Sequence, residues 1–221
     1  DTATKRNPNM KLLLVTATPN RGDKKSLRGV VSNVADQISL KELIEGGFLV
    51  RPRTLVVDIG VGDELKDVRK TMSDFDMTAV EAIMDKQVLN DRIIQEWASV
   101  AGHRRTVVFC STVAHATHVA EAFNAAGYKA ACIEGNMSST DRAATLAAYA
   151  RGDIQVITNV AVLTEGWDDQ PTSCVILLRP SSFKSTMIQM IGRGLRKVDP
   201  ELHPGVIKDD CIVMDFGTSV L

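Results

Sequence analysis

Short apolar runs alternate with helix-forming segments along most of this chain. The runs span four to seven residues, as in Thr106–Cys110, and Val113–Ala126 has the apolar spacing of a helix that Gly127 would stop. This alternation predicts an α/β fold, with a parallel sheet covered by helices on both faces. Because ligands bind such sheets at the carboxyl ends of the strands, functional residues are expected directly after the apolar runs.

Further helices and strands are predicted before and after Thr106–Ala126. A short helix is predicted over Leu40–Glu45, stopped by Gly46 and Gly47, whereas the charged stretch Gly60–Ser73 lacks clear periodicity and is predicted to be mobile or at the surface. Further helices are predicted from Leu89 to Ala101, from a capping box at Ser138–Asp141 to Ala150, and over Thr186–Leu195. Further strands are predicted at Met10–Val15, Arg53–Ile59, Lys129–Ile133, Ile154–Thr158, Ser173–Leu178 and Asp210–Phe216.

Composition narrows the class of protein. The net charge of −1 argues against a broadly basic surface but allows a few local contacts to a nucleic-acid backbone. No apolar run is long enough to span a bilayer, and residues 1–6 lack a signal-peptide core, so a cytoplasmic location and no membrane partner are expected. The four cysteines form no CxxC pair and lie in or beside apolar runs, which is typical of buried free thiols.

The most specific motif is QMIGRGLR at residues 189–196. Arg193 and Arg196 are three positions apart on a predicted helix, so they are expected to project from one face. Two guanidinium groups on one face suit a polyphosphate, because each donates two parallel hydrogen bonds to phosphate oxygens. A solvated basic helix end is the alternative, but Gly192 inside the helix costs about 1 kcal/mol and indicates close approach of another backbone.

This motif resembles motif VI of superfamily-2 helicases in its QxxGRxxR form. Other motifs of that family occur in the expected order: VTATP (15–19) resembles motif III, VVFCST (107–112) motif IV, and TNVAVLTEGWDDQP (158–171) motif V. IEGNMSSTDR (133–142) resembles the family segment that ends in a helical arginine. The ordered set covers most of the chain and identifies it as a member of the family with a RecA-like fold.

The resemblance implies an ATP site in a cleft between two RecA-like domains. Arg193 and Arg196 would be the arginine fingers that reach the γ-phosphate, with Gln189 and Gly192 in the same nucleotide-binding motif. In motif V, Gly166 would let the backbone approach the nucleotide, and Asp168 would accept hydrogen bonds from the ribose or steady the fingers. The first domain would supply the phosphate loop and the ligands of Mg²⁺, so no metal ligand is assigned here.

Nucleic-acid contacts are expected from small polar groups that follow the strands, because such groups bind phosphate oxygens without reading bases. The candidates are Ser111, Thr112, Gly135, Thr158 and Asn159, with Arg142 as a further candidate that could equally be an exposed helical arginine. Thr16 and Thr18 resemble the motif that couples hydrolysis to strand movement. Gln189 and Met190 replace the histidine and arginine of RNA-handling DEAD-box proteins, which favours DNA over RNA as the partner.

The sequence contains no GxxxxGK[ST] phosphate loop and no Asp-Glu-x-His box. We therefore expect residues 1–34 to be the end of RecA-like domain 1, 35–60 the interdomain connection with the first strand of domain 2, and 61–221 domain 2. The chain alone is expected to be inactive as an ATPase, and the longer protein to be an ATP-dependent helicase or translocase.

Two alternatives remain open at this stage. The chain could be a non-hydrolytic RecA-like binding module, or an interaction domain in a larger DNA-processing complex. His115 and His118 are three residues apart, as in a metal pair, but without a third ligand they are interpreted as helix-surface residues. Trp167 could stack on a base or pack against the domain.

Overall fold

The computed structural model describes residues 7, 11, 13–16, 33–71, 74–164, 166–181 and 184–216. Its centre is a parallel sheet of six strands, and the α/β prediction is thereby confirmed. The strands are β1 (Arg51–Val56), β2 (Thr106–Phe109), β3 (Ala130–Ile133), β4 (Val156–Asn159), β5 (Cys174–Leu177) and β6 (Asp210–Asp215), in the spatial order β1-β6-β5-β2-β4-β3. β2, β4 and β3 are therefore neighbours, and Phe109, Asn159 and Ile133 end them at one level.

Seven helices lie within the described residues. They are α1 (Leu40–Glu45), α2 (Gly62–Lys66), α3 (Met77–Met84), α4 (Gln87–Ala101), α5 (Val113–Ala125), α6 (Ser139–Arg151) and α7 (Lys184–Leu195). Local signals fix several ends: Ser39 and Glu42 form a capping box on α1, and Gly152 ends α6 in the left-handed conformation. None of the helices in the described ranges is long and apolar enough to cross a membrane.

The core consists of two hydrophobic clusters on opposite faces of the sheet. Val108 packs in one cluster with Trp97 of α4, whereas its neighbour Val107 packs in the other with Tyr149 of α6 and Met190 of α7. Successive strand residues point to opposite faces, so strands buried on both sides must be apolar throughout. Cys110, Cys174 and Cys211 are buried free thiols, and Cys132 is half-buried.

The charged stretch after β1 was expected to be mobile or at the surface. Most of its described residues are exposed, but the stretch also contributes a helix and buried residues to the core. Val61, Leu65 and Val68 are buried, and α2 is a helix within the stretch. Phe75 and Val80, further along, complete this layer over the core. Charged side chains on the outer face of α2 hide the helical spacing of its buried residues.

The strand expected at Met10–Val15 is not observed in the described part of that segment. Leu13, Leu14 and Val15 belong to no strand and are 78%, 47% and 89% exposed. No strand among the described residues pairs with the backbone of this segment, so the predicted strand does not form there. The ends of the other predicted strands and helices coincide with those observed or differ from them by at most three residues.

Candidate functional site

The two arginines of the QMIGRGLR motif reach the same loop. Arg193, on the last turn of α7, donates from Nη1 to the carbonyl oxygen of Trp167 (2.7 Å). Arg196 lies just beyond the helix and forms an ion pair with Asp168. Trp167 and Asp168 belong to the β4–β5 loop (residues 160–173), so the structure brings the arginine pair to the segment in which the sequence places Gly166 and Asp168. Gln189 is half-buried one turn earlier on α7.

Buried contacts hold the far end of the β4–β5 loop in place. Asp169 is 7% exposed; it pairs with Arg105 (3.2 Å) and accepts a hydrogen bond from the Thr172 hydroxyl (2.8 Å). Trp167 is also buried and packs near Tyr149, with ring centroids 6.0 Å apart, which favours its interpretation as a packing residue. Asp168, between these two anchored residues, is left 54% exposed with its carboxylate on Arg196.

Glycine is required in this region for different structural reasons at different positions. Gly166 has a φ of +71°, a conformation that strains any other residue, and no described atom lies within 4 Å of where a Cβ would be. Gly192 also has open space around it, so the expected close approach at this position is wrong. The close approach is at Gly194, where a Cβ would lie 2.4 Å from Cys211 Sγ and 2.6 Å from Val175 Cγ2.

The hydroxyl and amide candidates at the ends of β2 and β4 are largely engaged inside the domain. Thr158 is fully buried and donates to the carbonyl oxygen of Ala116 (2.7 Å). Asn159, also fully buried, donates to the carbonyl oxygen of Val108 (3.0 Å) and accepts from the backbone N–H of Leu163 (3.2 Å), which shapes the start of the β4–β5 loop. In this arrangement neither side chain is available to an outside phosphate.

Ser111 and Thr112 follow β2 at the same edge. Ser111 is 3% exposed, and its hydroxyl lies 2.9 Å from Nδ1 of His115. Thr112 caps α5 by accepting from the backbone N–H of His115 (3.2 Å), and it donates to the carboxylate of Glu81 (2.6 Å). The Thr112 side chain is half-buried beneath α3, so its hydroxyl already has an acidic partner.

The turn after β3 carries the remaining candidates of the edge. Gly135 is exposed, and Arg142 on α6 donates from Nη2 to the carbonyl oxygens of Glu134 and Gly135 (2.9 Å each). Arg142 therefore shapes this turn instead of projecting into solvent. Thr16 is exposed and lies in no helix or strand, and Thr18 lies outside the described residues.

The sequence model of the family described as "Helicase conserved C-terminal domain" matches residues 86–198. This match covers β2 to β5 and the whole of α7, and thus both arginines and the β4–β5 loop. The chain belongs to this helicase family. The resemblance to superfamily-2 helicases, first seen in the order of the motifs, is confirmed at the level of the family.

Relatives of this helicase domain are considerably longer proteins. The chain is 28% identical over 91% of its length to "Putative ATP-dependent helicase IRC3" of Saccharomyces cerevisiae, and 29% identical over 93% to "Putative mitochondrial ATP-dependent helicase irc3" of Schizosaccharomyces pombe. It spans 28% and 32% of those proteins. Among solved structures, a fragment of a "putative HsdR subunit of a type I restriction enzyme" from Vibrio vulnificus YJ016 shares the fold, with a TM-score of 0.71, 21% identity, and coverage of 92% of this chain and 39% of that one.

His115 of the helicase domain was expected on the helix surface, and the structure contradicts this. Its ring is fully buried, with Nδ1 on Ser111 and no hydrogen-bond partner for Nε2 among the described residues. Burial lowers the pKa of His115 to about 4, although the Asp85 and Glu81 carboxylates act in the opposite direction. His118, on the outer face, is exposed, and its hydrogen bond to Asp85 raises its pKa.

Acid should destabilise the helicase domain through His115. The pKa of His115 in the folded chain lies below its value in the unfolded chain. Between pH 7 and pH 5 the imidazole therefore binds a proton in the unfolded chain but not in the folded chain. The free energy of unfolding should therefore fall by about 2 kcal/mol more in the wild type than in His115→Gln over this interval. Urea denaturation at several pH values measures the difference. His118→Gln should be at least as acid-sensitive as the wild type, because the raised pKa of His118 favours the folded chain as the pH falls. Parallel pH profiles for wild type and His115→Gln would contradict the assignment.

Several residues of the site were not predicted from the motifs. Asp169 is buried whereas its neighbour Asp168 is exposed, and a pair of adjacent aspartates gives no signal for which is which. Gly194 could have been recognised, because it lies four positions after the buried Met190 on the apolar side of α7. Lys208, which contacts both the β4–β5 loop and the residue after α7, lies beyond the matched motifs and has no sequence signal.

Proposed function

We propose that this chain is the second motor domain of an ATP-dependent nucleic-acid helicase or translocase. Its part in the ATP site would be to supply Arg193 and Arg196 as arginine fingers to a cleft formed with a preceding RecA-like domain. The observation that carries the proposal is the convergence of both guanidinium groups on residues 167–168 of the β4–β5 loop. Residues 1–34 would be the end of the preceding domain, and 35–60 the connection between the two.

The residues at this position suit the phosphate end of a nucleotide. Arg193 and Arg196 are only half-buried, so a partner domain could approach them, and Gly166 leaves open space beside the loop. Asp168 is the exposed acceptor next to them, and an incoming polyphosphate would compete with it for Arg196. No group of three or more His, Cys, Asp or Glu residues in the described ranges could hold a metal ion, and we assign the Mg²⁺ ligands to the preceding domain.

The arginines would act by stabilising charge. In phosphoryl transfer, negative charge spreads over the equatorial oxygens of the transferred group, and correctly placed guanidinium groups lower its energy. Because the arginines and the phosphate loop would lie on different domains, hydrolysis would require the two domains to close. Movement along nucleic acid would then be coupled to closing and opening, with Thr16 and Thr18 on the side of the preceding domain.

Nucleic acid would bind at the carboxyl edge formed by β2, β4 and β3. The buried side chains of Ser111, Thr158 and Asn159 would shape this edge, while backbone groups near Gly135 and the loop start would meet phosphates. Arg142 would hold the turn at Gly135 through its two carbonyl contacts. DNA is the favoured partner, on the basis of Gln189 and Met190 in motif VI.

ATP hydrolysis by the longer protein, which includes the preceding domain, tests the proposal. The rate is measured without nucleic acid and with single-stranded DNA, duplex DNA or RNA, at one ionic strength because phosphate contacts are salt-dependent. Strong stimulation by DNA supports the motor function and the preference for DNA. Stimulation by RNA alone would overturn the preference, and hydrolysis absent under every condition would favour a RecA-like binding or interaction module, in which the Arg196–Asp168 pair is structural.

A further inference from the structure

Lys208 connects the two segments of the proposed nucleotide site. It lies between α7 and β6, outside the motifs and outside the region matched by the family. Its Nζ donates one hydrogen bond to the carbonyl oxygen of Gln170 in the β4–β5 loop and another to the carbonyl oxygen of Arg196, each 2.7 Å long. A single ammonium group therefore joins the backbone of the loop to the backbone of the second arginine.

Gln170 is held by a second contact from the same side. Its Oε1 accepts a hydrogen bond from the backbone N–H of Asp199 (2.7 Å). Two residues that follow Arg196 in the chain, Asp199 and Lys208, therefore bind the side chain and the main chain of Gln170. Lys208 is half-buried. Burial lowers its pKa to about 8, while the Asp169 and Asp168 carboxylates oppose this, so the group still carries its proton at pH 7. A partly desolvated lysine costs free energy that an apolar residue of the same length would not, which points to a role beyond filling space.

The lysine contacts differ in kind from the arginine contacts. Arg193 and Arg196 reach the loop with their guanidinium groups, which the proposed function requires for phosphate. These side-chain contacts must rearrange when phosphate binds. Within the described residues, the hydrogen bonds of Lys208 go to main-chain carbonyl oxygens, so they do not require the guanidinium groups to keep their partners.

We propose that Lys208 is a positioning residue for the arginine pair, keeping the backbone of Arg196 at a fixed distance from the β4–β5 loop while the guanidinium groups change partners. The inference rests on the proposed function. A displacement of about 1 Å in a charge-stabilising group can lower a reaction rate about a hundredfold. Loss of the two Lys208 hydrogen bonds should therefore lower turnover and leave ground-state nucleotide binding nearly intact.

The test compares Lys208→Met with Lys208→Arg in the longer protein, under saturating nucleic acid. Methionine matches the length and apolar character of the lysine stem but donates no hydrogen bond, whereas arginine keeps the charge and the donors. We expect Lys208→Met to lower kcat for ATP hydrolysis on the order of tenfold to hundredfold, with a much smaller change in KM and in ADP affinity. Lys208→Arg should retain most of the wild-type turnover. Lys197→Met, at the exposed lysine that directly follows Arg196, should behave as wild type.

The outcomes separate this inference from the proposed function. If the wild type hydrolyses ATP and Arg193→Ala abolishes hydrolysis, but Lys208→Met has wild-type kcat, the positioning role alone is overturned. Loss of ADP affinity in parallel with kcat in a folded Lys208→Met protein would also overturn it, because the lysine would then serve the ground-state site. A wild type without hydrolysis overturns both. If Lys208→Met does not fold, Lys208→Leu, which also donates no hydrogen bond, replaces it, and an unchanged kcat there contradicts the inference.

Discussion

Replacing Arg193 with alanine is expected to reduce ATP hydrolysis by the longer protein about 10³-fold or more. The guanidinium group would stabilise charge that develops only in the transition state, so its removal should lower kcat far more than it weakens nucleotide binding. Steady-state hydrolysis at saturating nucleic acid measures the change, and ADP affinity is measured in parallel. Arg196→Ala should have a similar effect, because its side chain reaches the same loop through Asp168.

Lys197→Ala is the matched control for the arginine variants. Lys197 directly follows Arg196, carries the same charge and is exposed. Its loss therefore tests whether the removal of any positive charge from this region is sufficient to lower the rate. We expect a rate within about twofold of wild type, as for most exposed substitutions away from a site. Wild-type turnover in Arg193→Ala would exclude it as an arginine finger, and an equal loss in all three variants would indicate a general electrostatic effect.

Replacing Gly194 with alanine is expected to destabilise the fold by about 3 kcal/mol. Its Cβ would lie 2.4 Å from Cys211 Sγ and 2.6 Å from Val175 Cγ2, both of which are buried in adjacent strands. Neither neighbour can move outward, because close-packed interiors have little spare volume. Urea denaturation of this chain measures the change in the free energy of unfolding.

Gly192→Ala, two residues earlier on α7, provides the opposite expectation. No described atom would lie within 4 Å of its Cβ, so the higher helix propensity of alanine should stabilise the chain by up to about 1 kcal/mol. Cys211→Ala combined with Gly194→Ala should recover part of the lost stability by removing the nearer of the two clashing atoms. Equal stability of the two single variants would contradict the assignment of the close contact to Gly194.

The sheet and the arginine motif were predictable because they depend on local patterns. The strands of a sheet buried on both faces are short apolar runs, and α1 has its complete capping box in the sequence. The burial of α2 was also present as a pattern, since Val61, Leu65 and Val68 are spaced by four and three, but the charges between them obscured it. His115 is comparable, because Val119 and Ala122 continue its buried face along α5.

Contacts between distant parts of the chain were not predictable in the same way. Lys208 meets Gln170, 38 positions away, and Arg105 meets Asp169, 64 positions away, only because the parallel sheet brings the ends of different strands together. Similarly, nothing local distinguishes a threonine that faces solvent at a strand end from Thr158, whose hydroxyl is used within the core. Motif order indicated the candidate site, whereas the hydrogen bonds that shape it required the fold.

We propose that this domain supplies an essential half of an ATP site. The most direct measurement is ATP hydrolysis, at one ionic strength and with saturating DNA, by four samples: this chain alone, the preceding domain alone, the longer protein, and the longer protein with Arg193→Ala. We expect hydrolysis by the longer protein only. Hydrolysis by the preceding domain alone at the rate of the longer protein would contradict the claim, because this chain would then contribute nothing to the chemistry.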